Sequence, residues 1–124
     1  FELTGNEQYK QKAVDTLKYY SGRLMQYPYT MPGLLAASTW LEKSPAEIVI
    51  TGDRSSSELT AIRREIASQY LPRKVMLFAD DTNTSLAPFA KLLGNSTELT
   101  VYYCRDQICN LPVHSAEELK ALLK

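Results

Sequence analysis

At 124 residues and 14.0 kDa the chain has the length of one domain, enough to bury a core without a disulfide or metal staple. Fourteen basic side chains balance fourteen acidic ones, so no net positive field recruits nucleic acid or an anionic membrane surface. The uninterrupted apolar runs fall far short of the roughly 20 residues a membrane helix requires, and no secretion signal is visible. Two cysteines fit a reducing compartment, which makes the cytoplasm the expected location. The chain opens at Phe1 on Glu2-Leu3-Thr4-Gly5, which reads as the interior of a longer polypeptide, and the chain as its C-terminal piece.

Thr4 and Glu7 have the spacing of a capping box, which predicts a helix start. Tyr9, Ala13, Leu17, Tyr20 and Leu24 continue as one apolar stripe before Pro28. Pro32 suits a first helical turn, and Met31, Leu34, Leu35, Ser38 and Leu41 give a second stripe that stops at Ser44-Pro45. The short connection predicts an antiparallel helical hairpin over residues 1–44.

From residue 45 onward the period changes. Glu47 to Thr51 is a β-branched run closed by Gly52-Asp53, a strand running into a turn. Ser55 and Glu58 predict a second capping box, with Leu59, Ile62, Ile66 and Tyr70 as the helical face. Lys74 to Ala79 is almost continuously apolar, the profile of a parallel strand covered on both sides. Strand, helix and strand within this span predict a βαβ unit. A short helix is expected from Leu86 to Leu93, ending at Gly94, and a third strand from Leu99 to Cys104. Arg105 to Ile108 can turn the chain so that Cys109 to Leu111 returns as a short edge before Pro112. Ser115 and Glu118 cap a last helix over 117–124. The fold class is therefore α/β: a helical hairpin packed on a small, three- to four-stranded, mainly parallel sheet, with residues 45–124 forming the α/β unit.

Cys104 and Cys109 are the first chemical candidates. Across a four-residue hairpin loop they can face each other as packed thiols, or close into a disulfide that serves as a redox pair. The packed reading is the plainer one, because neither cysteine sits at a thiolate-stabilising helix N-terminus. His114 extends the series to a Cx4Cx4H spacing, but structural zinc requires four ligands and the chain holds no other cysteine or histidine. A surface-loop histidine is the simpler role for His114, and no metal is assigned.

The second candidate is the loop that leaves the first strand: Gly52, Asp53, Ser55 and Ser56, with Asp80 and Asp81 at the same sheet edge if the strands are parallel. Such an edge can receive a phosphate or a small ligand, and the aspartates could hold magnesium. The loop lacks the glycine-lysine pattern of a P-loop and the GxGxxG spacing, so a satisfied helix cap and solvated acids are the bland alternatives. With one histidine no Ser/His/Asp triad forms. No catalytic residue and no cofactor is assigned. The eight tyrosines, with Trp40, suit interfaces between elements better than a sugar cleft.

Met31-Pro32 with Leu34-Leu35, Glu47 to Ile50 running into Gly52-Asp53, Tyr70-Leu71-Pro72 before Lys74-Val75, and Val101-Tyr102-Tyr103-Cys104 with Cys109 and Pro112-Val113 together resemble one family. It is the C-terminal end of the thioredoxin-domain-containing, spermatogenesis-associated protein 20 family. The resemblance implies a longer protein with an N-terminal thioredoxin-like domain and an α/α toroid similar to six-hairpin glycosidases. Residues 1–44 would then be the last helices of that toroid. It also implies that Cys104 and Cys109 do not inherit the thioredoxin-like role, and it leaves the activity undefined. The expected function is a non-catalytic structural module whose partner is the rest of the parent polypeptide. An isolated fragment is expected to self-associate through its uncovered stripe. A thiol-disulfide switch at Cys104/Cys109 and small-ligand binding at 52–57 are the alternatives.

Overall fold

The computed structural model describes residues 1–80, 83–85, 87, 90, 91, 93, 96–105 and 108–123. Two helices come first, α1 (Glu7–Gln26) and α2 (Pro32–Ser38), joined through a 3-10 turn at Pro28–Thr30. Asn6 caps α1 by accepting from the Gln8 N–H, whereas Thr4 bonds only the Asn6 N–H outside the helix. The start thus falls later than the Thr4 spacing predicts, because an Asn carbonyl directly before the helix competes well for its free N–H groups. Pro32 occupies the first turn of α2, which tightens into a second 3-10 turn at Thr39–Leu41. The two helices touch, but neither buries a residue.

The sheet has the order β2-β1-β3-β4, with β1 at Ala46–Thr51, β2 at Lys74–Phe78, β3 at Thr100–Arg105 and β4 at Ile108–Cys109. β1 and β2 run parallel and are linked through α3 (Ser57–Ser68), the expected βαβ unit. The expectation of a mainly parallel sheet needs correction beyond that pair. β3 is antiparallel to β1, and β4 is antiparallel to β3. β3 enters beside β1 from the end where β1 leaves, so Thr51 lies opposite Thr100 and Glu47 opposite Cys104.

β1 is the strand covered on both faces. On one face Ile48 and Ile50 pack with Val101 of β3, with Leu59, Ile62 and Ile66 of α3, and with Leu119 of α4 (Ala116–Leu122). On the other, Val49 meets Ala79, Ala87 and Ala90. β2, read from its apolar run as doubly covered, is an edge strand with Met76 exposed. Tyr70, expected on the α3 face, lies beyond the helix end at Ser68 and is 91% exposed. The predicted helix over 86–94 falls largely outside the described residues, of which Ala90 and Lys91 are helical.

Capping ties the two covering helices together. Ser56, not Ser55, caps α3 by accepting from the Glu58 N–H. The Glu58 carboxylate is thereby released from the box and accepts instead from the Ala116 N–H at 2.7 Å, joining the starts of α3 and α4. Ser115 caps α4 as expected, and Glu118 reaches back to the His114 N–H.

Candidate functional site

The cysteines are bonded. β4 returns along β3 with Cys104 opposite Cys109 and Arg105 opposite Ile108, and the two sulfurs form a disulfide with the Cα atoms 3.9 Å apart. Packed free thiols, the plainer reading of the spacing, are therefore corrected. Directly opposed positions in an antiparallel pair bring Cβ atoms close enough to bond. Cys104 is only 2% exposed, while Cys109 on the edge strand is exposed, so attack from solvent would reach the Cys109 sulfur first. The bond also removes both thiolates from any zinc site. His114 is engaged elsewhere, its Nδ1 lying 3.2 Å from the Leu99 carbonyl and 3.4 Å from the Thr100 hydroxyl.

The loop after β1 places Gly52, Asp53, Ser55 and Ser56 together with Asp80, as the parallel pairing of β1 and β2 requires. Its polar groups are turned on one another. Asp53 accepts from the Ser55 N–H at 2.8 Å and from the Ser55 hydroxyl, which together hold its carboxyl below its ordinary value, the backbone N–H having the larger effect. Arg54 forms an ion pair with Asp80 and stacks over Phe78 at 4.3 Å, while the Asn83 N–H donates to the second Asp80 oxygen. Asp81 lies outside the described residues. Among the described residues no three acidic, cysteine or histidine side chains converge as a metal site would need.

Gly52 has a backbone reason to be glycine. Its φ is +106°, and a Cβ there would stand 2.6 Å from the Glu98 carbonyl oxygen. The close approach is to the segment entering β3 and holds the loop against the sheet end.

A third feature went unread in the sequence. Where β1 and β2 begin and β3 ends, Glu42 to Ser44, Tyr70 to Arg73 and Arg105 enclose a cleft of about 450 Å3. Its residues come from three separate stretches, so no local spacing announces it; the cations Lys43, Arg73 and Arg105 are 30 or more positions apart in the chain.

Comparison with known proteins gives a single, consistent relation. The chain is 30% identical to human spermatogenesis-associated protein 20 over 126 aligned residues, covering 98% of the chain and 16% of that protein. The rat protein of the same name gives the same identity and coverage. An uncharacterized protein of Caenorhabditis elegans is 23% identical, again over 98% of the chain. The chain thus spans about one sixth of the length of the curated relatives it matches. No family model and no solved structure matches.

Proposed function

From its kinship, over nearly its whole length, with a segment of spermatogenesis-associated protein 20, we propose that the chain is a non-catalytic C-terminal structural module of a longer polypeptide. In this reading residues 1–44 continue a helical body that precedes them, and residues 45–124 form the α/β unit packed at its end. The observation that carries it is α1: all twenty of its residues are described and none is buried. Tyr19, Met25 and Tyr29 are 82%, 85% and 77% exposed. A helix draws most of its stability from tertiary cover of its apolar face, and the sheet of this chain provides α1 with almost none. The cover is assigned to the remaining five sixths of a polypeptide the length of the relatives. Left uncovered, the same surface drives self-association.

Hydrogen exchange tests the reading. In the longer polypeptide the α1 amides should exchange at least about tenfold more slowly than in the 124-residue chain, as covered helices do. Tyr19→Asp with Met25→Asp should abolish that protection and leave β1 and β3 protected. Equal exchange of α1 in both contexts rejects the module.

A second reading rests on the disulfide. Two cysteines in a chain of reducing-compartment character form a bond only under oxidation, which is the behaviour of a thiol-disulfide switch. Equilibration of the chain with glutathione buffers, read by mass, should place its midpoint within the span of cellular poise. A bond that resists reduction throughout that span is structural and removes the switch.

A further inference from the structure

We propose that the cleft between Lys43, Arg73 and Arg105 is a binding site for a small polyanion bearing phosphate or carboxylate groups. The volume, about 450 Å3, is that of a small-molecule site, for which roughly 300–1,000 Å3 is usual. Among the described residues its charge is one-sided, with Lys43, Arg73 and Arg105 against the carboxylate of Glu42. Among the described residues the one ion pair is Arg54 with Asp80, at the opposite end of the sheet, and none joins a cleft cation to a described carboxylate.

Arg73 gives the most direct indication. Its Nε is buried and has no hydrogen-bond partner among the described residues, while its carbonyl is held by the Ala46 N–H at 2.9 Å. The backbone is thus fixed while the guanidinium lines the cleft; its buried N–H, which has no acceptor among the described residues, would gain one if the side chain turned it toward an oxyanion bound there. Arg105 is prepared differently. Its guanidinium donates to the Tyr103 hydroxyl at 3.0 Å, and its backbone is set by pairing with Ile108 beside the Cys104–Cys109 bond. Guanidinium groups present planar forks that match carboxylate and phosphate oxygens, so two of them fix the orientation of a ligand as well as its charge. Tyr70, almost wholly exposed at the rim, adds a hydroxyl and a ring face at the mouth. The site is independent of the α1 surface and of the loop at 52–57, which lies at the other end of β1.

Titration of the 15N-labelled chain at low salt with inorganic pyrophosphate, and separately with citrate, tests the site. Saturable shifts are expected at the amides of Lys43, Leu71, Arg73 and Arg105, weakening as salt rises. Arg73→Gln with Arg105→Gln should loosen binding by about tenfold or more, as loss of two charge-assisted contacts implies. Lys43→Gln lies outside every helix and strand, keeps the test open if the double variant misfolds, and should loosen binding about threefold. Saturation by pyrophosphate alone identifies phosphate chemistry, and by citrate alone carboxylate chemistry. Saturation by neither, or unchanged affinity in the variants, overturns the proposal. Binding by the chain that vanishes in the longer polypeptide also overturns it, since the cleft would then belong to an acidic segment of the polypeptide itself.

Discussion

The helices that precede the sheet and those that cover it have the same kind of sequence and opposite fates. α1 and α3 both carry apolar residues at helical spacing and both begin with a side-chain cap. Yet α3 buries Leu59, Ile62 and Ile66 within twelve residues, whereas α1 buries none in twenty. The difference is where the chain goes next. α3 is tethered between two paired strands, so its stripe must fall on Ile48 and Ile50. Among the described residues α1 packs chiefly on α2 and the 3-10 turn at Pro28–Thr30, with almost no cover from the sheet. An amphipathic pattern therefore states that a helix needs cover and is silent about what supplies it.

Truncation in the two regions should separate them most sharply. Ile62→Ala, at a fully buried position, should destabilise the chain by about 2–5 kcal/mol, while Leu17→Ala in α1 should cost under about 1 kcal/mol, both by urea denaturation. Equal losses would show that α1 shares the core of the α/β unit and would end the comparison. The smallest effect expected is electrostatic and confined to the loop after β1. Asp53 has a depressed pKa in the folded chain, so its contribution to stability is present above its ordinary value near 3.8 and is lost as pH falls through the lower, folded value. Ser55→Ala removes the hydroxyl donor but keeps the N–H, so the carboxyl should rise only part of the way back. An NMR titration of the Asp53 carboxyl carbon reads this directly, and no rise would assign the whole depression to the backbone.

Much of the architecture was legible because its signals are local. A β-branched run closed by Gly52-Asp53 marked β1, and Ser115 with Glu118 marked the start of α4. Local signals misled where two residues compete for one role: Asn6 displaced Thr4, and Ser56 displaced Ser55, each standing nearer the first free N–H groups. The candidate loop was placed correctly at the sheet end, but its spacing could not disclose that Arg54 reaches Asp80 or that Ser55 occupies Asp53. The apolar run at 74–79 overstates the cover of β2: Phe78 packs on one core and Leu77 on the other, but both are only partly buried and Met76 is exposed. An apolar run reports the company a strand keeps on its faces, and β2 keeps less of it than its composition implies because it stands at the edge.

The sequence by itself determined the class of the fold, the order of its elements, the βαβ unit and the return of the chain at the cysteines. These follow from periodicity, capping and turn chemistry, which act within a few residues. Only the tertiary structure decided that β3 runs antiparallel to β1, that Cys104 and Cys109 are bonded, and that Lys43, Arg73 and Arg105 share one cleft. Each of these depends on which strand becomes a neighbour of which. Strand neighbours are selected by the global burial of both faces of β1, a quantity no short stretch of residues contains.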